Sequence, residues 1–257
     1  MNIFESLLLG IIQGITEFLP ISSDGHLVIF QNLLGLKEPE FLFDILLHGG
    51  TLLATLLIFW KEIFTLLKTP RALLLIIAGC VPTAIMGLFL IDIMERFWTM
   101  NMACIGLLIT GTYMWFTRYV TKEQLVIEEA LFSTLTLPKA FLIGAAQGLA
   151  LFPGVSRSAL TITTALLFKS RRVEAVTFSF LLSIPSIIGA IGLKLYKTPH
   201  LELNSIPMAA GFLSAFVIGI PSLKILIKIV RQGWFFKFSY YCWAVGIAGL
   251  IAAYTLL

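Results

Sequence analysis

The sequence predicts an all-α integral membrane protein, with six transmembrane helices plus two re-entrant helical hairpins in an inverted-topology repeat. Three observations carry this. Of 257 residues, 58% are apolar and only 12% charged, against roughly 25% charged in soluble proteins. Long uncharged runs recur along the chain. Two further apolar regions are interrupted by polar breaks that match each other. A mean hydropathy of +0.97 excludes a soluble enzyme, a disordered chain and a fibrous protein. The net charge of +4 forms no basic face, so no nucleic-acid partner is expected. The three cysteines, Cys80, Cys104 and Cys242, lie in apolar stretches without CxxC spacing and read as small packing residues. The first apolar stretch has no basic leader and carries Gln13 and Glu17, so no cleavable signal peptide is expected.

A membrane-crossing helix needs about 20 apolar residues. Uncharged runs of that kind occur at 72–91, 97–117, 175–193, 203–223 and 238–257, and 41–60 is a sixth that carries Asp44 and His48. Pro82, Pro185 and Pro221 fall inside such runs, where neighbouring helices can satisfy the freed carbonyls. The stretch 7–36 is instead broken at 18–26 (FLPISSDGH), and 140–168 at 152–158 (FPGVSRS). Each half is about 10 to 15 residues, too short to span. Helix–loop–helix segments that enter the membrane and return explain the pattern, since irregular backbone at that depth must be buried or line a wet cavity. Amphipathic loops at the interface are the simpler alternative, but the polar residues cluster at the break and do not follow one helical face.

At a shift of 134 residues, Gly10, Gln13, Gly14, Phe18 and Ser22 fall on Gly144, Gln147, Gly148, Phe152 and Ser156. At 135, Phe43, Leu46 and Leu47 fall on Phe178, Leu181 and Leu182. The chain is therefore expected to be one membrane domain, 1–257, built of repeats at approximately 1–120 and 135–257. Returning each hairpin to its own side places twelve basic residues on one face: Lys61, Lys68, Arg71, Arg118, Lys122, Lys139, Lys169, Arg171, Arg172, Lys228, Arg231 and Lys237. The other face receives four, Lys37, Arg96, Lys194 and Lys197. The positive-inside rule makes the first face cytoplasmic and puts both termini outside. The halves then have opposite topology, as in inverted-repeat folds whose sites form where broken helices meet near the midplane.

Polar and ionisable groups inside a bilayer are costly and default to function. The first break region holds Gln13, Glu17, Ser22, Ser23, Asp24 and His26; the second holds Ser156, Arg157, Ser158 and Thr161; Asp44 and His48 follow the first. Gln13 and Glu17 are four apart and share a helix face. Pro153-Gly154 ends one half-helix, and Ser156-Arg157-Ser158 opens the next. A helix start with free N–H groups, two hydroxyls and an arginine suits a phosphate. A carboxylate as base or cation ligand, a serine nucleophile and a histidine to move protons would complete a phosphoryl-transfer site. A Glu17–Arg157 ion pair that merely locks the hairpins together is the simpler reading of the same residues. Asp44 and His48, four apart, also read as polar packing near the membrane surface. Trp60, Trp98, Trp115, Trp234 and Trp243 read as interfacial anchors or core.

The run Gln13-Gly-Ile-Thr-Glu17-Phe-Leu-Pro20-Ile-Ser22-Ser23-Asp24-Gly25-His26 resembles the first signature of the bacterial undecaprenyl-diphosphate phosphatases, an (E/Q)xxxE element followed by PxSSTGH. Pro153-Gly154-Val155-Ser156-Arg157-Ser158 with Thr161 resembles their second, PGxSRSxxT, and 178–185 (FSFLLSIP) is also similar. The resemblance covers nearly the whole chain. It implies a multi-pass protein of the bacterial inner (plasma) membrane with its site opening to the outer face. The implied reaction is hydrolysis of undecaprenyl diphosphate to the monophosphate, which recycles the lipid carrier of peptidoglycan synthesis. Family members are associated with bacitracin resistance. Glu17, Ser23, His26 and Arg157 fall on the positions the family depends on for catalysis. Gln13, Ser22, Gly154, Ser156, Ser158 and Thr161 would contact substrate. A divalent cation, Mg²⁺ or Ca²⁺, would sit near Glu17 and Gln13, with Asp24 as a further candidate ligand. Ser23 would attack the terminal phosphorus or position a water, and His26 would exchange the proton. Asp24 stands where the family usually has Thr; a carboxylate there repels a diphosphate unless it helps hold a cation or turns away. Besides the polyprenyl diphosphate lipid and the bilayer, the sequence leaves a homodimer open. The rival class is a transporter or flippase of polyprenyl phosphate lipids, since broken helices in inverted repeats are typical of transporters.

Overall fold

The computed structural model describes residues 2–36, 41–120, 131–197 and 205–256, and among them there is no strand. Lys37 and Lys122 of the charge tally lie outside the described residues, as do the ends of two expected spans at 203–204 and 257.

The chain opens with α1, Ile3–Thr16, started by a capping box in which Asn2 and Glu5 satisfy each other's backbone N–H groups. The first break follows, then α2, Ser23–Leu33, with Ser22 as its N-cap. α3 (Phe41–Ile58) and α4 (Trp60–Lys68) are bent by 72° at a short break. α5 (Pro70–Met94) contains Pro82 without interruption, and α6 is Met100–Trp115. α7 (Leu137–Leu149), the second break and α8 (Arg157–Leu167) form the second hairpin. α9 (Arg172–Lys197), α10 (Ser205–Gln232) and α11 (Phe238–Leu256) complete the chain.

Among the described residues four helices, within α5, α9, α10 and α11, are long and apolar enough to cross a membrane, and a fifth is added if the bent α3–α4 pair is one span. The run expected at 97–117 is helical as α6 over only 16 residues, flanked by 3-10 turns at Glu95–Phe97 and Phe116–Tyr119. At 1.5 Å per residue it is about 24 Å long, short of a roughly 30 Å hydrocarbon core.

The surface is apolar and the interior is partly polar. Leu88 and Phe89 on α5 are 66% and 76% exposed, while Gln13, Glu17, Ser23, Gln147 and Ser156 are buried. Water does not tolerate that distribution, whereas lipid requires it. The hairpins are gripped by helices from the opposite halves of the chain: α1 packs chiefly on α10 and α7 on α5, while α6 packs on α11. The contacts are backbone-close. A Cβ on Gly10 would sit 2.4 Å from the Gly211 carbonyl oxygen, and one on Gly144 would sit 1.8 Å from that of Gly79. The two breaks meet where a Cβ on Gly25 would lie 2.9 Å from Gly154 Cα. Beneath them Phe18, Phe59 and Phe180 form a buried aromatic floor, with centroids 5.7 and 5.8 Å from Phe180.

Candidate active site

The first break is shaped by Ser22, whose φ of 65° and ψ of 102° are unusual for a residue with a side chain. Its hydroxyl accepts from Gly25 N–H at 3.2 Å, which caps α2 and turns the chain sharply. Ser23 then heads α2 and donates its hydroxyl to Glu17 Oε2 at 2.6 Å. Glu17 terminates α1 and also accepts from Gln13 Nε2 at 3.2 Å, one turn earlier on the same face.

The second break is pinned from α6. Thr110 Oγ1 donates to the Gly154 carbonyl and accepts from Ser156 N–H, both at 3.0 Å. Gly154 has φ 81°, and a Cβ there would lie 1.9 Å from the Ala103 carbonyl oxygen, so only glycine fits. Ser156 caps α8 by accepting from Ala159 N–H. Arg157, the first residue of α8, places Nη2 2.5 Å from Glu17 Oε1 and lays its guanidinium over Phe180. Arg157 Nη1 is buried and has no hydrogen-bond partner among the described residues. One carboxylate thus joins a hydroxyl from the first break to a guanidinium from the second.

These groups form the polar end of a cavity of about 420 Å³, to which Ser22, Ser23, Asp24, Ser156 and Arg157 contribute. Its other walls come from α5 and α9 and become apolar through Ala84, Leu88, Ile187 and Leu193. His48 enters from α3. Its Nδ1 donates to the Asp44 carbonyl at 2.8 Å, and its Nε2 lies 3.5 Å from both Glu17 Oε2 and Asp24 Oδ1.

Of the expected cation ligands, Gln13 and Glu17 are hydrogen-bonded to each other and Asp24 faces His48. Both Glu17 oxygens are taken, and among the described residues no group of three or more His, Cys, Asp or Glu is placed to hold a metal ion.

The profile of the family described as bacitracin resistance protein BacA matches residues 6–248. The chain belongs to the bacitracin resistance protein BacA family. It is 43% identical to a protein of Carboxydothermus hydrogenoformans named undecaprenyl-diphosphatase, over 98% of this chain and 97% of the relative. Similar proteins of the same name come from Desulforapulum autotrophicum (37% identical, 99% and 100% covered) and Korarchaeum cryptofilum (39%, 96% and 98%). The resemblance drawn from the two signatures is borne out, and the chain is a multi-pass integral membrane protein.

Glu17, Ser22, Ser23, Asp24, Ser156 and Arg157 come together on the cavity wall. Other expected contacts stand behind it. Gln13 supports Glu17; Ser158 reaches Ser156 Oγ at 3.3 Å; Thr161 donates to the Arg157 carbonyl and meets Ser179 Oγ at 2.6 Å; Gly154 shapes the turn. His26 departs from expectation. It does not line the cavity, and its ring is held between the Ser22 carbonyl and Tyr241. The histidine at the cavity is His48, one of the two residues that also read as surface packing. Its signal was the four-residue spacing to Asp44, and nothing local reveals that α3 carries it against Glu17. Sequence reasoning does not reveal a hydroxyl-amide cluster: Gln147 Nε2 donates to Thr83 Oγ1 at 3.2 Å and Ser186 Oγ at 2.8 Å, and its Oε1 is buried with no hydrogen-bond partner among the described residues. In the sequence, the repeat match to Gln13 is what marks Gln147.

Proposed function

We propose that the chain hydrolyses undecaprenyl diphosphate to undecaprenyl phosphate and phosphate. The observation that carries this reading is Glu17, hydrogen-bonded at once to the Ser23 hydroxyl and to Arg157 at the head of a cavity that turns apolar. The isoprenoid tail takes the apolar walls of α5 and α9, and the diphosphate takes the end formed by the two breaks. Arg157 Nη1 and the start of α8 meet the terminal phosphate. An arriving phosphate competes with Glu17 for the guanidinium. As Arg157 transfers, Glu17 loses its counter-charge and becomes the base beside Ser23.

Ser23 Oγ then attacks the terminal phosphorus while its proton passes to Glu17. The bond to the bridging oxygen breaks, the lipid monophosphate leaves, and water hydrolyses the phosphoseryl group. In the alternative order, Ser23 orients a water whose proton goes to Glu17. Positioning and charge stabilisation supply most of the acceleration in both. A Mg²⁺ or Ca²⁺ ion arriving with the diphosphate would offset phosphate charge, and Asp24 would be the carboxylate on the cavity wall to steady it.

The topology belongs to the same proposal: six spans counting α6 and the α3–α4 pair, two hairpins that re-enter from opposite sides, both termini outside and the cavity facing outward. The exchanged packing of α1 on α10 and α7 on α5 supports an inverted repeat. Phosphate release by purified protein given undecaprenyl diphosphate tests the reading. Turnover above a protein-free control is expected, whereas lipid binding without turnover would favour a carrier.

A further inference from the structure

The two histidines of the hairpin region face opposite ways. His48 is at the cavity, while His26 is turned toward α11. His26 Nδ1 lies 2.8 Å from the Ser22 carbonyl oxygen. A carbonyl only accepts, so Nδ1 carries the proton. In the neutral ring Nε2 is then a lone pair, and it accepts from the Tyr241 hydroxyl at 2.9 Å. The two rings stack at 5.8 Å with an 11° tilt. The next residue of α11 grips the same break, since Cys242 Sγ lies 3.6 Å from the Pro20 carbonyl oxygen. The outer face of Tyr241 lines a separate apolar groove with Ile15, Leu19 and Trp234, apart from the cavity.

The bracketed element is the strained one. Ser22, with φ 65° and ψ 102°, has a backbone conformation that a residue with a side chain rarely adopts and that persists only where its surroundings hold it. The Ser22 carbonyl receives both the His26 N–H, at 3.2 Å, and the His26 ring. Ser23, whose hydroxyl is aimed at Glu17, is the next residue.

We propose that Tyr241 is a positioning residue: through His26 Nε2 it fixes the imidazole that holds the Ser22 carbonyl, and so aims Ser23 at Glu17. His26 is a bracket in this arrangement, and the imidazole available to the reacting groups is that of His48. The inference rests on the reading of Ser23 and Glu17 given above.

The test compares Tyr241→Phe, His26→Asn, His26→Ala and the double variant Tyr241→Phe with His26→Asn. Asparagine can replace the Nδ1 donor, as Asn32 on the same helix shows by donating to the Val28 carbonyl at 2.8 Å, but it has no counterpart of Nε2. Tyr241→Phe keeps the ring and is expected to lower kcat about tenfold with KM unchanged. His26→Asn should lose about as much, His26→Ala much more, and the double variant no more than His26→Asn alone, because the shared contact is already gone. Without substrate, hydrogen–deuterium exchange across 20–26 should rise in Tyr241→Phe while the thermal midpoint holds. Wild-type kcat and exchange in Tyr241→Phe would overturn the proposal, as would His26→Asn being as inactive as His26→Ala. If the wild type releases no phosphate yet exchange still rises in Tyr241→Phe, the hydrolase reading fails and the bracket stands.

Discussion

Ser23 Oγ and Glu17 Oε2 are 2.6 Å apart although the whole first break separates them. The break closes on itself, so a residue that ends one half-helix receives the hydroxyl that begins the next. The second hairpin adds Arg157 to the other oxygen of the same carboxylate. The hydrogen bond between the halves of one hairpin and the ion pair between hairpins therefore share one group. Disturbing Glu17 should affect both.

Arg157→Lys keeps the positive charge but loses the planar fork that can hold Glu17 and a phosphate oxygen together. Turnover is expected to fall about 100-fold or more, with the protein still extracted and monodisperse. Near-wild-type turnover would mean that Arg157 only locks the hairpins.

Asp24→Thr removes one of the two carboxylates at the cavity and its 3.5 Å approach to His48. If the cation arrives on the substrate and is steadied by Asp24, half-maximal turnover should need roughly tenfold more Mg²⁺ or Ca²⁺. Titrating either ion in both proteins checks this, and an unchanged midpoint would remove Asp24 from any such role.

Gly154→Ala forces a side chain into φ 81° and against the Ala103 carbonyl. The left-handed conformation alone costs about 1 kcal/mol or more, and the contact adds to it. A thermal midpoint several degrees lower, with loss of turnover, is the expected outcome. An unshifted midpoint would mean that the second break relaxes freely.

Single cysteines placed at each end, in a background with Cys80, Cys104 and Cys242 replaced, should react with an impermeant maleimide added outside intact cells. Labelling only after the cytoplasmic side is opened would reverse the topology.

The polar end of the site was legible because Glu17, Ser23 and Arg157 stand out in apolar sequence, and in a bilayer such groups carry a penalty that demands a reason. The two helix–break–helix segments were legible because each apolar half is too short to span and the polar residues cluster at the break. What remained hidden depends on how helices meet. His48 reaches Glu17 only through the approach of α3. His26 carries a plausible motif position, yet its ring is turned by a contact 215 residues away. The 72° bend between α3 and α4 falls at Phe59, with neither proline nor glycine to announce it. Pro82, Pro185 and Pro221, which do announce bends, sit inside continuous helices. α6 is shorter than the uncharged run 97–117 because the run's ends, Phe97 and Phe116-Thr117, belong to flanking 3-10 turns.

The most direct measurement of the central claim is phosphate release from undecaprenyl diphosphate by wild-type protein and Glu17→Gln at matched folding. Glutamine keeps the size and the contact to Ser23 but neither takes a proton nor offsets Arg157. Loss of about 100-fold or more in kcat, with lipid binding retained, is the predicted result. Wild-type turnover by Glu17→Gln would contradict the account.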